Sequence, residues 1–191
     1  MTDIERMSGY KKWIGNLPIE RKTIATKILD DLWPRIVACP ASTSGHGNWA
    51  GGLVDHSLLV TYYTQLFYDT IAQTKPNFCN KDSAIFVALF HDLGKIGSLE
   101  SPYYTTDVPQ WKKTRYGATF DKIENRVDNM HELMSLQWMC YYGVKLTDSE
   151  VQAIYHHAGR YNKANEYIYK EDPLMLLVHM ADNTCTKIFN I

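Results

Sequence analysis

Apolar positions recur at helical spacing through most of the chain, and almost nowhere do they alternate as a strand would. Ile24, Ile28, Leu29, Leu32 and Ile36 predict a helix over Ile19–Ala38, opened by Asn16-Leu17-Pro18 and kinked or split at Pro34. Before it, polar residues with isolated aromatics predict one short helix near residues 4 to 10. Leu53, Leu59, Val60, Tyr63, Leu66 and Phe67 give a stripe over 53 to 73, ended by Pro76-Asn77. Ile85, Phe86, Val87, Leu89 and Phe90 form the next run, with Asp82 or Ser83 as its cap. Met134, Leu136, Trp138 and Met139 mark a helix over 128 to 142. Thr147 and Glu150 have capping-box spacing for a helix through Val151, Ile154 and Tyr155 that stops near Gly159. Asp172-Pro173 opens the last helix, PLMLLVHMADNTCTKIF. The predicted fold class is all-α.

Two segments lack this period. CPASTSGHGNWAGG, residues 39 to 52, is rich in Gly, Ser and Pro and reads as a loop leading into the next helix. Residues 96 to 126 mix prolines, aromatics and basic residues, which predicts an irregular flap packed by its aromatics, with a hairpin near 116 to 120.

The 191 residues, 45% of them hydrophobic, suit a single domain spanning 1–191. A net charge of -1 argues against a protein that holds nucleic acid by bulk electrostatics. The 4 cysteines are scattered without a CxxC pair, so they read as reduced thiols and not as a zinc finger. With no apolar run of about 18 residues and no signal-like segment at MTDIERMSGYKK, a cytoplasmic protein without a membrane partner is expected.

The chemistry lies in polar residues at core positions. His91-Asp92 ends an apolar run, and Asp182 follows the apolar run from Leu174 to Met180; either carboxylate is costly to bury unpaired. With His56 they make a first candidate metal set, to which His179 is adjacent in a mainly structural role. His131 and one of the pair His156-His157 can make a second set, bridged to the first by Asp92. His46, in the glycine-rich loop, is a substrate contact or a solvated side chain. Such ligands suit one or two divalent ions: Mn, Fe, Co, Ni, Zn or, in a water-rich site, Mg.

The ordered series His56, His91-Asp92, Asp182, in the contexts GGLVDHSLLV, ALFHDLGKIG and LLVHMADN, resembles the HD superfamily of metal-dependent phosphohydrolases. It is closest in kind to the HD domains of bacterial 3′–5′ exoribonucleases and of small phage HD proteins, for which the location would be the host cytoplasm. The resemblance covers residues 39 to 187, with 1 to 38 as N-terminal helices packed on that core. It implies an HD-type helical bundle in which His56, His91, Asp92 and Asp182 hold one ion. Asp92, His131 and either His156 or His157 hold a second. Gly52 stands where some branches carry a glutamate for a third ion, so at most two are expected. Asp92 and Lys95 are the expected catalytic residues, Lys95 also contacting phosphate.

The flap residues Tyr104, Trp111, Lys112 and Arg115, with Arg160 and Tyr161, are expected to stack a base and hold phosphates. Hydrolysis of a phosphate ester in a nucleotide-like small molecule is the expected function, and a homo-oligomer is compatible with it. The alternatives are a phosphodiesterase or 3′–5′ exonuclease on short single strands, a non-catalytic nucleotide- or partner-binding module, and a di-iron oxygenase.

Overall fold

Capping boxes at Thr2 and Thr147 set two of the helix starts in the computed structural model, which describes residues 1–124, 130–159 and 170–191. Thr2 accepts from the Glu5 N–H while the Glu5 carboxylate accepts from Thr2, and helix α1 runs over Asp3–Gly15, beyond the short helix expected. Its buried Tyr10 and Ile14 explain the extra turns: they are core contacts spaced four apart. Helix α2, Ile19–Ala38, has the expected bounds but passes unsplit through Pro34. The carbonyl that proline leaves without a donor belongs to exposed Asp30, where water can supply the bond.

Helix α3, Gly52–Ala72, begins after Gly51 at φ +83, and helix α4 covers Lys81–Phe90. The cap of α4 is Asn80, whose side chain accepts from the Ser83 N–H at 2.9 Å; Asp82 and Ser83 already lie in the first turn. At Asp92 the backbone leaves the helix (φ -101, ψ 11), and a 3₁₀ turn, Leu93–Ile96, follows. Lys95 therefore stands on a separate turn, not farther along the helix that carries His91. In the flap, strands β1 (Tyr104–Thr105) and β2 (Asp121–Lys122) pair antiparallel, with Tyr104 opposite Lys122. Between them lies helix α5, Gln110–Tyr116. The pairing thus flanks residues 116 to 120 and does not fall on them.

Helices α6 (His131–Tyr141), α7 (Asp148–His156) and α8 (Pro173–Thr184) follow, and α8 runs into a π-helical turn, Cys185–Phe189. The expected start of α6 at 128 lies outside the described residues. Ile28, Phe86, Val87, Met139, Ile154 and Val178, one or more from each of five helices, share one apolar core. Among the described residues the fold is all-α apart from the β1–β2 pair. No described helix is long and apolar enough to cross a membrane.

Two buried polar joints tie this frame to the site. Arg6 of α1 grips Asp55 of α3 with two hydrogen bonds of 2.8 Å, and Trp49 Nε1 donates to the same carboxylate at 2.9 Å. Gly51 is needed there because a side chain would run into the Arg6 guanidinium. The second joint is Gly94 against α6, where a Cβ would strike the His131 carbonyl. The Gly94 N–H donates to Ser135 Oγ at 2.8 Å, and the single proton of that hydroxyl is shared between the carbonyls of His91 (2.8 Å) and His131 (2.9 Å).

Candidate metal centre

Asp92 is buried where α4 ends, and the four helices around it each send a histidine or carboxylate toward it. Its Oδ2 lies 3.5 Å from His56 Nε2 (α3) and 3.4 Å from His91 Nε2. Its Oδ1 lies 3.1 Å from His131 Nε2 (α6) and 3.4 Å from His157 Nε2, just past α7. Asp182 of α8 brings Oδ1 to 3.1 Å from His56 Nε2. Two groups result, His56–His91–Asp92 and Asp92–His131–His157, and within each the ligand atoms lie within 4.8 Å of one another. Donors about 2.1 Å from a common ion sit about 3.0–3.4 Å apart in tetrahedral or octahedral arrangements. The observed spacings are close to that range.

The far nitrogen of each ring shows why the near one is available. His91 Nδ1 donates to the Ala88 carbonyl at 2.9 Å and His157 Nδ1 to the Ile154 carbonyl at 2.8 Å, each three residues back along its own helix. His56 Nδ1 donates to the main-chain oxygen of Ile191 at 2.8 Å. These oxygens only accept, so the proton is on Nδ1 and a neutral ring keeps its lone pair on Nε2. His131 Nδ1 meets the Glu132 carboxylate at 3.2 Å, the arrangement that orients histidines behind metals. His56 Nε2, His91 Nε2 and Asp92 Oδ1 are buried and make no hydrogen bond of acceptable geometry. Buried polar atoms rarely go without a partner; the two nitrogens lie in the His56–His91–Asp92 group and Asp92 Oδ1 faces the His131–His157 group, and each set fits a cation.

Burial alone would raise the Asp92 pKa, but Lys95, with Nζ at 2.6 Å from Oδ2, and the surrounding histidines hold it well below the carboxylate range. Burial also works against charge on His157, and its contact with Asp92 overrides this and raises its pKa to about 9. For His91 burial prevails and the pKa falls. Asp182 is held low by His56 despite burial. His46 is pushed down to about 4 by burial and then by Lys95 and His56.

A cavity of about 230 Å³ opens over Asp92. It is lined by His46, Lys95, His131, His157 and Asp182 and, from the end of α8 onward, by Asn183, Thr186 and Lys187. His46 thus belongs to the cavity wall. Of the pair left open by the sequence, His157 joins Asp92; His156, at the end of α7, packs its ring 4.7 Å from that of Tyr155 and is in neither group. His179 is structural, with Nδ1 donating to the His157 carbonyl at 2.6 Å and Nε2 3.1 Å from Asn183 Nδ2. Tyr104, Trp111, Lys112 and Arg115 do not line the cavity: Lys112 is paired with Asp121, and the Trp111 and Arg115 side chains lie against Tyr116. Arg160 and Tyr161 lie outside the described residues.

Glu132, Ser135, Asn183, Thr186, Lys187 and the Ile191 main chain were not apparent from sequence. Thr186 was within reach of pattern reasoning, four residues after Asp182 on the same face; a main-chain oxygen carries no sequence signal.

No family model matches the chain, and no solved structure matches it. A similarity of 27% identity over 152 residues links it to the FAD-linked oxidoreductase anuG of Penicillium roqueforti (strain FM164). The match covers 71% of this chain and 29% of that protein. What the geometry establishes is a buried His/Asp cluster able to hold metal and compatible with an HD-type site.

Proposed function

We propose that this chain is a metal-dependent phosphohydrolase of HD type that cleaves a phosphate ester of a nucleotide or related small molecule. The observation that carries the proposal is the convergence of two histidine groups on the two oxygens of one buried carboxylate, with the Nε2 atoms of His56 and His91 left unbonded. His56, His91, Asp92 and Asp182 would hold one divalent ion, and Asp92, His131 and His157 a second. Ions bound there supply a water of lowered pKa and an electrophilic hold on a phosphoryl oxygen.

The chain's own residues account for the choice of a phosphate. Lys95 and Lys187 bring positive charge to the cavity wall, where it favours an anionic group and offsets charge developing on phosphoryl oxygens. His46 is neutral at pH 7 and offers a ring N–H to a substrate oxygen. At about 230 Å³ the cavity is smaller than the roughly 300–1,000 Å³ of drug-sized pockets. It therefore encloses the phosphate and the group next to it, while the rest of the substrate extends outward.

The test is a metal-supplemented assay of the purified protein against nucleoside mono-, di- and triphosphates, cyclic nucleotides and short oligonucleotides, with Asp92→Ala as control. Release of phosphate or nucleotide that Asp92→Ala abolishes is the expected result. Cleavage of oligonucleotides alone would move the assignment to a phosphodiesterase. Activity that survives Asp92→Ala, or oxygen consumption with no hydrolysis, would overturn it.

A further inference from the structure

A segment outside both histidine groups reaches into the site. His91 and His157 each find their Nδ1 acceptor on their own helix. His56 does not: its acceptor, the main-chain oxygen of Ile191, is 135 residues away in sequence. The chain arrives there through the π-helical turn Cys185–Phe189 and through Asn190, which takes φ +59 and donates its N–H to the Cys185 carbonyl. Single π turns inside or after α-helices are often found at functional sites. This one is anchored twice, by Cys185, fully buried with Val60, Ala88 and Ala181, and by Phe189, whose ring lies 5.1 Å from that of Tyr63. Thr186 Oγ lies 3.4 Å from Asp182 Oδ1, so the segment touches the carboxylate that faces His56 as well.

We propose that residues 185–191 are a positioning clasp that holds His56 in the tautomer able to ligate. A neutral imidazole has one N–H. With that proton held by Ile191, Nε2 presents a lone pair toward Asp92 and Asp182. Released from Ile191, the proton is free to move to Nε2, which has Asp182 Oδ1 3.1 Å away. Nε2 then carries a proton where an ion needs its lone pair. Only the His56 group depends on the clasp; His131 and His157 are oriented by Glu132 and by their own helix. The tautomer claim stands on geometry alone, and its consequence for binding rests on the metal-site proposal above.

Asn190→Pro is the test, because proline cannot adopt φ +59 and removes the N–H given to Cys185. Asn190→Gly, which accepts that φ, is the control. Asn190 is exposed, so neither change touches the core. The ring nitrogen chemical shifts of His56 in the metal-free protein give the direct readout. Parent and Asn190→Gly are expected to show a protonated Nδ1, and Asn190→Pro a mixture of tautomers. In Mn(II) calorimetry, Asn190→Pro should weaken one ion about 10–100-fold and leave the other within about twofold. An unchanged His56 tautomer in Asn190→Pro, or equal weakening of both ions, would overturn the clasp. A parent protein that shows the tautomer difference yet binds no Mn(II) would remove the metal proposal and leave the clasp standing.

Discussion

Ser135 joins the two halves of the centre, and its removal should be costly out of proportion to its size. Its hydroxyl accepts from Gly94 N–H at 2.8 Å and shares its one proton between the carbonyl of His91, in the interior, and that of His131, partly buried. Ser135→Ala leaves the Gly94 N–H without an acceptor, and the Gly94–α6 contact is too close for water to enter. An orphaned buried donor costs about 1–3 kcal/mol, and losing the bond to His91 adds about 1 kcal/mol. For a chain of this length each kcal/mol moves Tm by about 2–4 °C, so a loss of about 2–4 kcal/mol predicts a fall of about 4–16 °C. Thermal unfolding of the metal-free protein, followed by circular dichroism, measures it. Thr70→Ala is the comparison, since Thr70 Oγ also donates to a helix carbonyl (Leu66, 2.8 Å) but in an exposed place. If Ser135→Ala melts within about 2 °C of Thr70→Ala, the reasoning about the joint fails.

Other outcomes follow from the same geometry. Asp55→Asn should destabilise by about 1.5–3 kcal/mol, because it weakens the two charge-assisted bonds to Arg6 while Asp3 stays 3.1 Å from the guanidinium; urea unfolding reads this directly. His157→Ala should lose one of two Mn(II) ions in calorimetry, and His156→Ala neither. Trp111→Ala and Lys112→Ala should leave KM for a small phosphate ester within about twofold, since neither residue lines the cavity. His157, with its pKa raised to about 9, contributes stability to the metal-free protein that is complete below about 6.5 and lost as pH rises through 9. Over the same window a proton leaves Nε2, so Mn(II) affinity should increase while metal-free Tm falls; opposite slopes in the two titrations check the sign.

The helices were legible because their apolar spacing carries the signal, and α2 was found with its bounds. The flap was not: α5 is a seven-residue helix with no buried residue, so no periodic apolar face announces it. His56, His91, Asp92, His131 and Asp182 stood out as polar residues set among apolar ones. Choosing between His156 and His157 needed the turn at the end of α7, which only coordinates supply. The flap aromatics drew a substrate role from composition, yet composition does not say which way a loop folds. Lys187, in contrast, is an ordinary lysine in sequence and reaches the cavity only because a π turn follows α8.

The Gly94–Ser135 joint has a consequence for how this protein can change over time. It ties the chain together at 94 and again at 135, immediately before and after the long excursion through β1, α5 and β2. The β1–α5–β2 excursion within that span is an insertion on a base already closed by the core, and lengthening such an insertion costs little, about 0.6 kcal/mol for each doubling. Flaps of different length and chemistry can therefore be exchanged on this base while Asp92 and His131 keep their spacing.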